Sequence, residues 1–554
     1  MPGDDEKVES LKARWERMLA ERAQWEPEWL DIGQMCLPRK TGPLLGAIAG
    51  SKLTAGRYTG IGEESALLLA NALLGKLTNP SQRWQSLQMR RAVLNTINAV
   101  QNWTDHASVE FSQALNASNF ATEASEFYLD ISTFGTGAMF MEKRPAPLGT
   151  FGGWVFRTLQ IGTYCIAEDK EGRVDTLFRS LDLTVRQAYQ HWGENIGMEW
   201  LELLKGAPGR KAEPDRMVQA LHAIYPRTDR RLERLDARNM PWASCYVDVA
   251  RKRLLGEGGF RRFPALVAPW SKAAGEVWGR GPGHTAMPDV LSLNRAMELE
   301  FAGWALDVAP PLFEQQRAVV GSLDWTPSAR NVVRGGKDSV WTMPSGTRYD
   351  VSALKKEEIR KAIEKAFFVD QIRALPPADR PSYMTAFEVA KRYEETYRLL
   401  GASFGQLKFG FLQPLVEGGV SDLVEAEILD PIPPEMDGED LDIEYLGPLA
   451  RAQQASDLQA LDLETAWILQ AEPLIPGIKD NFRWDAIVQH RARVRGIPAS
   501  LLVGLDELAA IRQAQAQVAQ AEMQKQDMAM LAEGMGKASG MVKALTPGPG
   551  QAAL

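Results

Sequence analysis

The sequence predicts a mainly helical α+β chain whose long helices pack on more than one side. Three observations carry this. From about Pro288 to Val308, the residues Val290, Leu293, Met297, Phe301, Trp304 and Val308 recur at spacings of three and four, the period of a helix. Leu291, Leu299, Ala302 and Leu306 form a second apolar stripe beside them. A surface helix needs one such stripe, whereas a helix apolar on two sides is buried on two. Between Gly153 and Phe263, by contrast, short runs such as Trp154-Val-Phe, Thr163-Tyr-Cys-Ile and Ala243-Ser-Cys-Tyr-Val-Asp-Val alternate with turns, as strands do. After Pro448 almost everything to about Lys543 reads as helix. A central helix of one domain and helices set side by side in a ring of subunits both satisfy the two-sided pattern.

The elements follow in order. Leu11, Trp15, Met18, Leu19 and Trp25 give an amphipathic helix over about Lys7–Glu26, which Pro27 ends or kinks. Leu37–Tyr58, rich in Gly, Pro, Lys and Arg, reads as a loop. Gly62–Leu77 is a second helix, Asn79-Pro80-Ser81 a turn, and Trp84–Met89 a strand-like run. Helices are expected over about Ile97–Ser118 and Thr122–Phe134, with Gly135-Thr136-Gly137 breaking the pattern before Ala138-Met139-Phe140-Met141. A helical insert near Thr184–Leu204 interrupts the β region, and Phe263–Trp270 is extended.

Pro310–Val351 carries Gly321, Pro327, Gly335-Gly336, Pro344 and Gly346, and reads as an irregular or small α/β module. A second long helix is expected over Ser352–Arg373, with Ile359, Ile363, Ala366 and Phe367 on one face. Pro376-Pro377 stops it, and a polar loop runs from Ala378 to Tyr383. Thr385-Ala-Phe-Glu388 fits a capping box. The third helix it starts reaches Leu400 and continues, bent at Gly401, Gly405 and Gly410, to Val416. Pro431–Asp440 is a Pro- and acid-rich linker, and Thr546–Leu554 is expected to be disordered.

Composition bounds the function. The 554 residues suffice for two to four domains. A net charge of −8 argues against gripping nucleic acid over the whole surface, because such affinity comes from many Lys/Arg–phosphate contacts. Cys36, Cys165 and Cys245 lie far apart and read as reduced, buried thiols, not as a disulfide framework. The opening Met1-Pro-Gly-Asp-Asp-Glu-Lys is polar and acidic, unlike a leader. The longest apolar run, Ala66–Leu74, contains Asn71 and falls short of the about 20 residues a membrane span needs.

No catalytic or metal-ligating constellation emerges. Gly279-Arg-Gly-Pro-Gly283 lacks the Lys-Ser/Thr of a phosphate loop, and Pro282 removes a backbone donor, so it is expected to be a flexible joint. His106, His191, His222, His284 and His490 are scattered singly, without metal-ligand spacing. No cofactor is expected. Charge placement says more. Lys355, Lys356, Arg360, Lys361, Lys365 and Arg373 outnumber Glu357, Glu358, Glu364 and Asp370, with Arg380 just beyond. The insert adds Arg317, Arg330, Arg334, Lys337 and Arg348. Such segments are usually plain surface, but repeated about a ring axis they form a charged belt.

Several stretches resemble the portal, or head-to-tail connector, proteins of short-tailed, podovirus-type bacteriophages. The Trp15–Trp29 helix is followed by Gly60-Ile-Gly-Glu-Glu-Ser65, then Leu69-Ala-Asn-Ala-Leu-Leu-Gly-Lys-Leu77, Asn79-Pro80 and Trp84. Phe127–Phe140 includes Phe134-Gly-Thr-Gly137, and Gly279-Arg280-Gly281-Pro282 precedes the long helix. Met384-Thr-Ala-Phe-Glu388-Val-Ala-Lys-Arg392 resembles the family's Thr-Ala-x-Glu-Val-x-x-Arg run, and Tyr445-Leu-Gly-Pro-Leu-Ala-Arg451 adds a weaker match. The order of elements over nearly the whole length carries more than any one motif.

The resemblance implies a portal fold assembled as a dodecameric ring at one capsid vertex, around a channel for double-stranded DNA. Residues 1–277 would be the wing, 278–309 the first stem helix, 310–351 the clip and 352–373 the second stem helix. Residues 374–384 would be the channel loop, 385–445 further wing with a long kinked helix and linker, 446–537 the helical crown or barrel, and 538–554 a disordered tail. Lys355, Lys356, Arg360, Lys361, Lys365, Arg373 and Arg380 become DNA-channel candidates. Arg317, Trp325, Arg330, Arg334, Lys337 and Trp341 become candidates for docking the terminase large subunit and a tail adaptor. Leu293, Met297, Phe301 and Trp304 would pack between subunits. Further implied partners are the major capsid protein and scaffolding or internal core proteins, with no membrane and no enzymatic activity. Assembly would occur in the host cytoplasm. The alternative is another ring- or filament-forming scaffold that moves no DNA.

Overall fold

The computed structural model describes residues 4–308 apart from 48–49, 55, 92, 145–150, 210, 232 and 235. It then describes 312–314, 334, 340–342, 349–373, 401, 403–438, 441–445 and most of 448–494 and 508–525. Two compact units divide the chain: Met1–Ser86, Ala107–Pro431 and Ile443–Ala452 form the first, while Leu87–His106, Ile432–Asp442 and Gln453–Leu554 form the second.

The first unit opens with α1 (Asp4–Ala23), α2 (Glu26–Cys36), α3 (Gly42–Leu45) and α4 (Ile61–Leu77). Pro27 lies in the first turn of α2, where its missing N–H leaves no bond unmade, so it starts a helix instead of kinking one. After β1 (Gln85–Met89) come α5 (Asn98–Asn116) and α6 (Phe120–Phe134). Ten residues of α6 are buried, from Phe120 to Phe134.

Strands follow: β2 (Thr136–Lys143), β3 (Trp154–Thr158), β4 (Tyr164–Glu168) and β5 (Val174–Thr184). The helical insert is two helices, α7 (Val185–Trp192) and α8 (Met198–Lys205). Thr184 and Gln187 form a capping box at the start of α7. Then come β6 (Met217–Pro226), β7 (Trp242–Asp248), β8 (Arg253–Phe260) and β9 (Ala265–Pro269). β4 to β8 make an antiparallel five-stranded sheet in sequence order, and β2 is the centre of a three-stranded sheet β3-β2-β9.

Alternation along the strands places helices on both faces of the larger sheet. Phe178, Leu221, Ala223, Cys245 and Val247 pack against Val8, Leu11 and Met18 of α1. Ala220 and Leu255 pack instead with Val185, Trp200 and Leu203 of α7 and α8. All three cysteines are free and buried. Burial pushes the thiols of Cys36 and Cys165 up to about 12, which keeps them protonated and unreactive.

α9 (Pro282–Val308) leaves this body, and α10 (Tyr349–Ala366) and α11 (Val369–Arg373) follow a β10 (Leu312–Glu314) and β11 (Val340–Thr342) pair. The single helix expected over Ser352–Arg373 is therefore broken. Phe368 adopts φ 58° at the break, and the turn lets both Phe367 and Val369 bury their side chains. Residues 403–407 are helical and run through a π turn, Lys408–Leu412, into α12 (Gln413–Glu425). The bend has a cause other than loose glycines. Pro414 has no N–H to donate, and a Cβ on Gly410 would lie 3.0 Å from Ala268. Phe411 stacks on Phe127 at 4.1 Å between ring centroids. At the far end of α12, buried Asp422 accepts a hydrogen bond from Trp154 Nε1 at 3.0 Å and pairs with Lys143 and Arg262.

β12 (Leu441–Tyr445) precedes α13 (Pro448–Ala471) and α14 (Trp484–Val494). Within the second unit Ile468 and Ala471 of α13 and Ala492 of α14 are buried, and residues 510–520 are helical. Arg512 holds Asp485 through two hydrogen bonds of 2.6 and 2.7 Å. The loop expected at 374–384, the helix from Thr385 to Leu400, most of 310–348 and the tail 538–554 lie outside the described residues.

Candidate functional site

The site most open to function is the α9–α10 pair and the junction from which it springs. That junction joins two glycine motifs that look unrelated in the sequence. α6 ends at Gly135, whose φ of 77° suits glycine and whose N–H bonds Ile131 O at 3.1 Å. A Cβ on Gly135 would lie 2.6 Å from Gly281 N, and one on Gly281 would lie 2.7 Å from Ile131 O. Gly279 N donates to Thr136 Oγ1 at 2.8 Å, and Arg280 N to Ser271 O at 2.7 Å. Gly279–Gly283 is thus a backbone-on-backbone joint, not the flexible one expected. Pro282 begins α9 and Pro288 falls inside it.

Side chains brace the joint. The Arg280 guanidinium lies 4.6 Å from the Trp25 ring centre and pairs with Glu28 at 2.9 Å and Glu276 at 3.2 Å. His284 Nδ1 accepts the Gly281 N–H at 3.1 Å. Burial holds this imidazole down to about 4, with Glu28 and Glu276 pulling upward and Arg280 downward.

Along α9 the surroundings change. Ala286, Met287, Val290 and Leu293 are buried inside the chain. Leu293, expected between subunits, is 0% exposed, so its own chain already covers it. Asn294 marks the transition: its Oδ1 accepts from Tyr58 N at 2.7 Å and its Nδ2 donates to Gly56 O at 2.9 Å. Met297 is half-buried. Phe301 and Trp304 are then 42% and 48% exposed, and Val308 is 87% exposed. Phe301 and Trp304 pack edge-to-face at 5.2 Å, and Tyr58 lies 5.9 Å from Phe301. Leu291 and Leu299 of the second stripe are also exposed.

α10 turns Ile363 and Phe367 inward. Its cations separate into distinct roles. Lys356 pairs with Glu300 of α9, and both side chains are largely buried, so Lys356 ties two helices together and is withdrawn from solvent. Lys355 pairs with Glu358 at 3.0 Å, Lys361 with Glu357 at 3.9 Å, and Arg373 with Glu364 at 2.7 Å and Glu64 at 3.5 Å. Exposed pairs of this kind are weak. Arg360 and Lys365 are exposed and pair with no carboxylate among the described residues. Helical spacing puts Lys361 and Lys365 together on the face away from Ile363.

Of the docking candidates, Arg334 is exposed, and Trp341 lies in β11 opposite Phe313 of β10. Arg317, Trp325, Arg330, Lys337 and the channel candidate Arg380 lie outside the described residues. Sequence reasoning missed Asn294, Tyr58 and Asp422. The only local hint of Asn294 was a polar residue within an apolar stripe.

Comparison with known proteins bears on nearly the whole chain. The family model described as "Bacteriophage head to tail connecting protein" matches residues 8–503. The chain is 28% identical over 527 residues to a "Probable portal protein" of Bordetella phage BPP-1, covering 93% of this chain and 92% of the relative. It is 26% identical over 532 residues to a "Portal protein" of Salmonella phage epsilon15, covering 93% of each. Among solved structures, a chain from the "Neck of empty GTA particle computed with C6 symmetry" is 12% identical, with a TM-score of 0.34 over 76% of this chain and 92% of that one.

Proposed function

This chain belongs to the family of bacteriophage head-to-tail connecting proteins, and we propose that it is the portal of its virion. In this reading twelve copies form a ring at one capsid vertex. The ring is the conduit for double-stranded DNA during packaging and ejection. It acts as structure and not as an enzyme, and the force for packaging comes from the terminase that docks on it. α9, α10 and α11 are the stem, residues 310–351 the clip that receives terminase and later a tail adaptor, and the C-terminal helices the crown. Capsid and scaffolding or internal core proteins contact the ring, which assembles in the host cytoplasm.

One observation supports the ring most directly. The apolar stripe of α9 continues past the chain's own core, leaving Phe301, Trp304 and Val308 exposed. Patches of this kind mark interaction surfaces. A face that meets a different face of the next copy closes into a ring when the rotation allows. Electrostatics suits the conduit. Twelve chains at −8 make an acidic assembly that repels DNA overall, so Arg360, Lys361 and Lys365 would steady phosphates without trapping them. Arg380 and Arg373 would add to the same belt.

Negative-stain electron microscopy of the purified chain tests the reading. Rings of about a dozen subunits with an axial hole are expected. Filaments, or dispersed monomers at every concentration, would sink it.

A further inference from the structure

The hairpin between β6 and β7 carries an arginine cluster that the conduit does not use. Its root is fixed. Arg227 N bonds Pro241 O at 2.8 Å to close the hairpin. The Arg227 side chain, nearly buried, holds Glu257 at 2.9 Å and Gly258 O at 3.1 Å, and Lys7 holds the same carboxylate at 2.6 Å. Burial pulls the Glu257 carboxyl upward, but Lys7 and Arg227 overrule it and hold it below its ordinary range. The hairpin then folds onto β8 at Gly259, where a Cβ would lie 2.7 Å from Met240 and 2.8 Å from Trp242 O. At the tip, Asn239 accepts from Arg231 N at 3.0 Å and binds Asp236. The root of the hairpin is therefore held by its own chain.

From this frame Arg230, Arg231, Arg234 and Arg238 all project exposed side chains. None pairs with a carboxylate among the described residues, although Asp229, Glu233 and Asp236 lie in the same tip. Elsewhere in the first unit arginines are commonly paired, as at Arg22, Arg39, Arg57, Arg261, Arg262 and Arg280. Four guanidinium groups with no ion pair among the described residues thus stand within nine positions of an acidic chain.

We propose that this hairpin tip is a second contact surface for the phosphate backbone of duplex DNA, separate from the α9–α10 candidates. The guanidinium fork matches a pair of phosphate oxygens and stays charged at every relevant pH. A rigid root lowers the ordering cost of binding. A protein partner fits less well, because protein interfaces centre on large apolar or aromatic anchors. The exposed, described residues from 229 to 238 are charged or alanine, while Leu232 and Leu235 lie outside the described residues. Asp229, Glu233 and Asp236 temper the attraction, so the contact is weak, independent of base sequence and sensitive to salt.

The test is fluorescence anisotropy of a short labelled duplex against the full chain over a salt series. The variant Arg230→Gln/Arg231→Gln/Arg234→Gln/Arg238→Gln is compared with Lys361→Gln/Lys365→Gln. The hairpin variant should lose about tenfold or more in affinity at low salt, and its log–log salt slope should flatten by about 3 to 4. Its melting temperature should match wild type, because the four side chains are exposed. Unchanged affinity, no measurable binding by the unsubstituted chain at low salt, or a loss confined to the α10 variant would overturn the proposal. So would a hairpin variant that keeps DNA but loses poly-L-glutamate, which would make the tip a protein-docking surface. Ring formation, scored in parallel by microscopy, separates this result from the portal reading: DNA lost through the hairpin of a chain that forms no rings supports one and sinks the other.

Discussion

The two halves of α9 share one apolar stripe and have opposite surroundings. Residues Ala286 to Leu293 are enclosed by their own chain, whereas Phe301, Trp304 and Val308 stand 42%, 48% and 87% exposed. Periodicity alone gives both halves the same sign, because it reports that a face is apolar and not what covers it. The junction at Gly135 and Gly281 explains the first half: it seats the helix against α6 so closely that no Cβ fits between the backbones. The second half is held by no such backbone seat among the described residues, but by the Lys356–Glu300 pair and by Tyr58 leaning on Phe301 at 5.9 Å. The docked half serves the stability of its own chain, and on the proposed reading the exposed half serves association.

The largest contrast should come from paired substitutions. Phe301→Asp with Trp304→Asp should abolish ring assembly while leaving circular dichroism and the melting temperature near wild type, since neither side chain is buried. Leu293→Ala should do the reverse. It leaves a cavity in the docked half and should cost about 2–5 kcal/mol of stability, read from urea unfolding, while the folded fraction still assembles. Rings from the double aspartate variant, or assembly lost in a stably folded Leu293→Ala chain, would erase the distinction between the halves.

That distinction also marks how far the sequence could be read. The stripe and the helix–strand order were legible, because each depends on local spacing, whereas the capping box at Thr184 went unread and the one expected at Thr385 lies outside the described residues. The strands between Gly153 and Phe263 were legible as a β region, but their pairing into one five-stranded sheet was not. The joint at Gly279–Gly283 was misread as flexible for a physical reason. Glycine serves open turns and close backbone contact alike, and only the partner, here Gly135 and Ile131, decides which. The break at Phe367–Phe368 was hidden because apolar spacing runs straight through it. Among the site candidates, Leu293 is covered and Lys356 paired within their own chain, which spacing could not show: residue type predicts an interaction, while burial decides with whom.

A smaller effect should separate the halves by pH. His284 lies in the docked half, where burial holds its pKa near about 4 against an ordinary 6.5. Between those values the unfolded chain takes up a proton that the folded chain refuses. Stability from this group is therefore complete above about 6.5 and falls as the pH drops toward about 4. Protonation would also put a donor on Nδ1 where Gly281 N–H already donates. His284→Gln should flatten that segment of the stability–pH curve, measured by urea midpoints. A curve of unchanged slope would mean that His284 does not brace the junction.

The smallest effect should come from the exposed cations of α10, and it tests the free half from another side. Lys361 and Lys365 share the face turned away from Ile363, and among the described residues their one ion pair is Lys361 with Glu357 at 3.9 Å. Lys361→Gln with Lys365→Gln should leave melting temperature and ring assembly unchanged. In assembled rings it should weaken DNA retention slightly, lowering the salt dependence by no more than about 2 per chain. Lys356→Gln makes the opposite prediction within the same helix. Its partner Glu300 is 10% exposed at the side chain, and removing one member of a largely buried pair strands the other charge. Lys356→Gln should therefore lower the melting temperature and disturb the helix pair without a specific DNA effect. If Lys356→Gln instead altered DNA retention at full stability, the face of α10 assigned to DNA would have to be turned around.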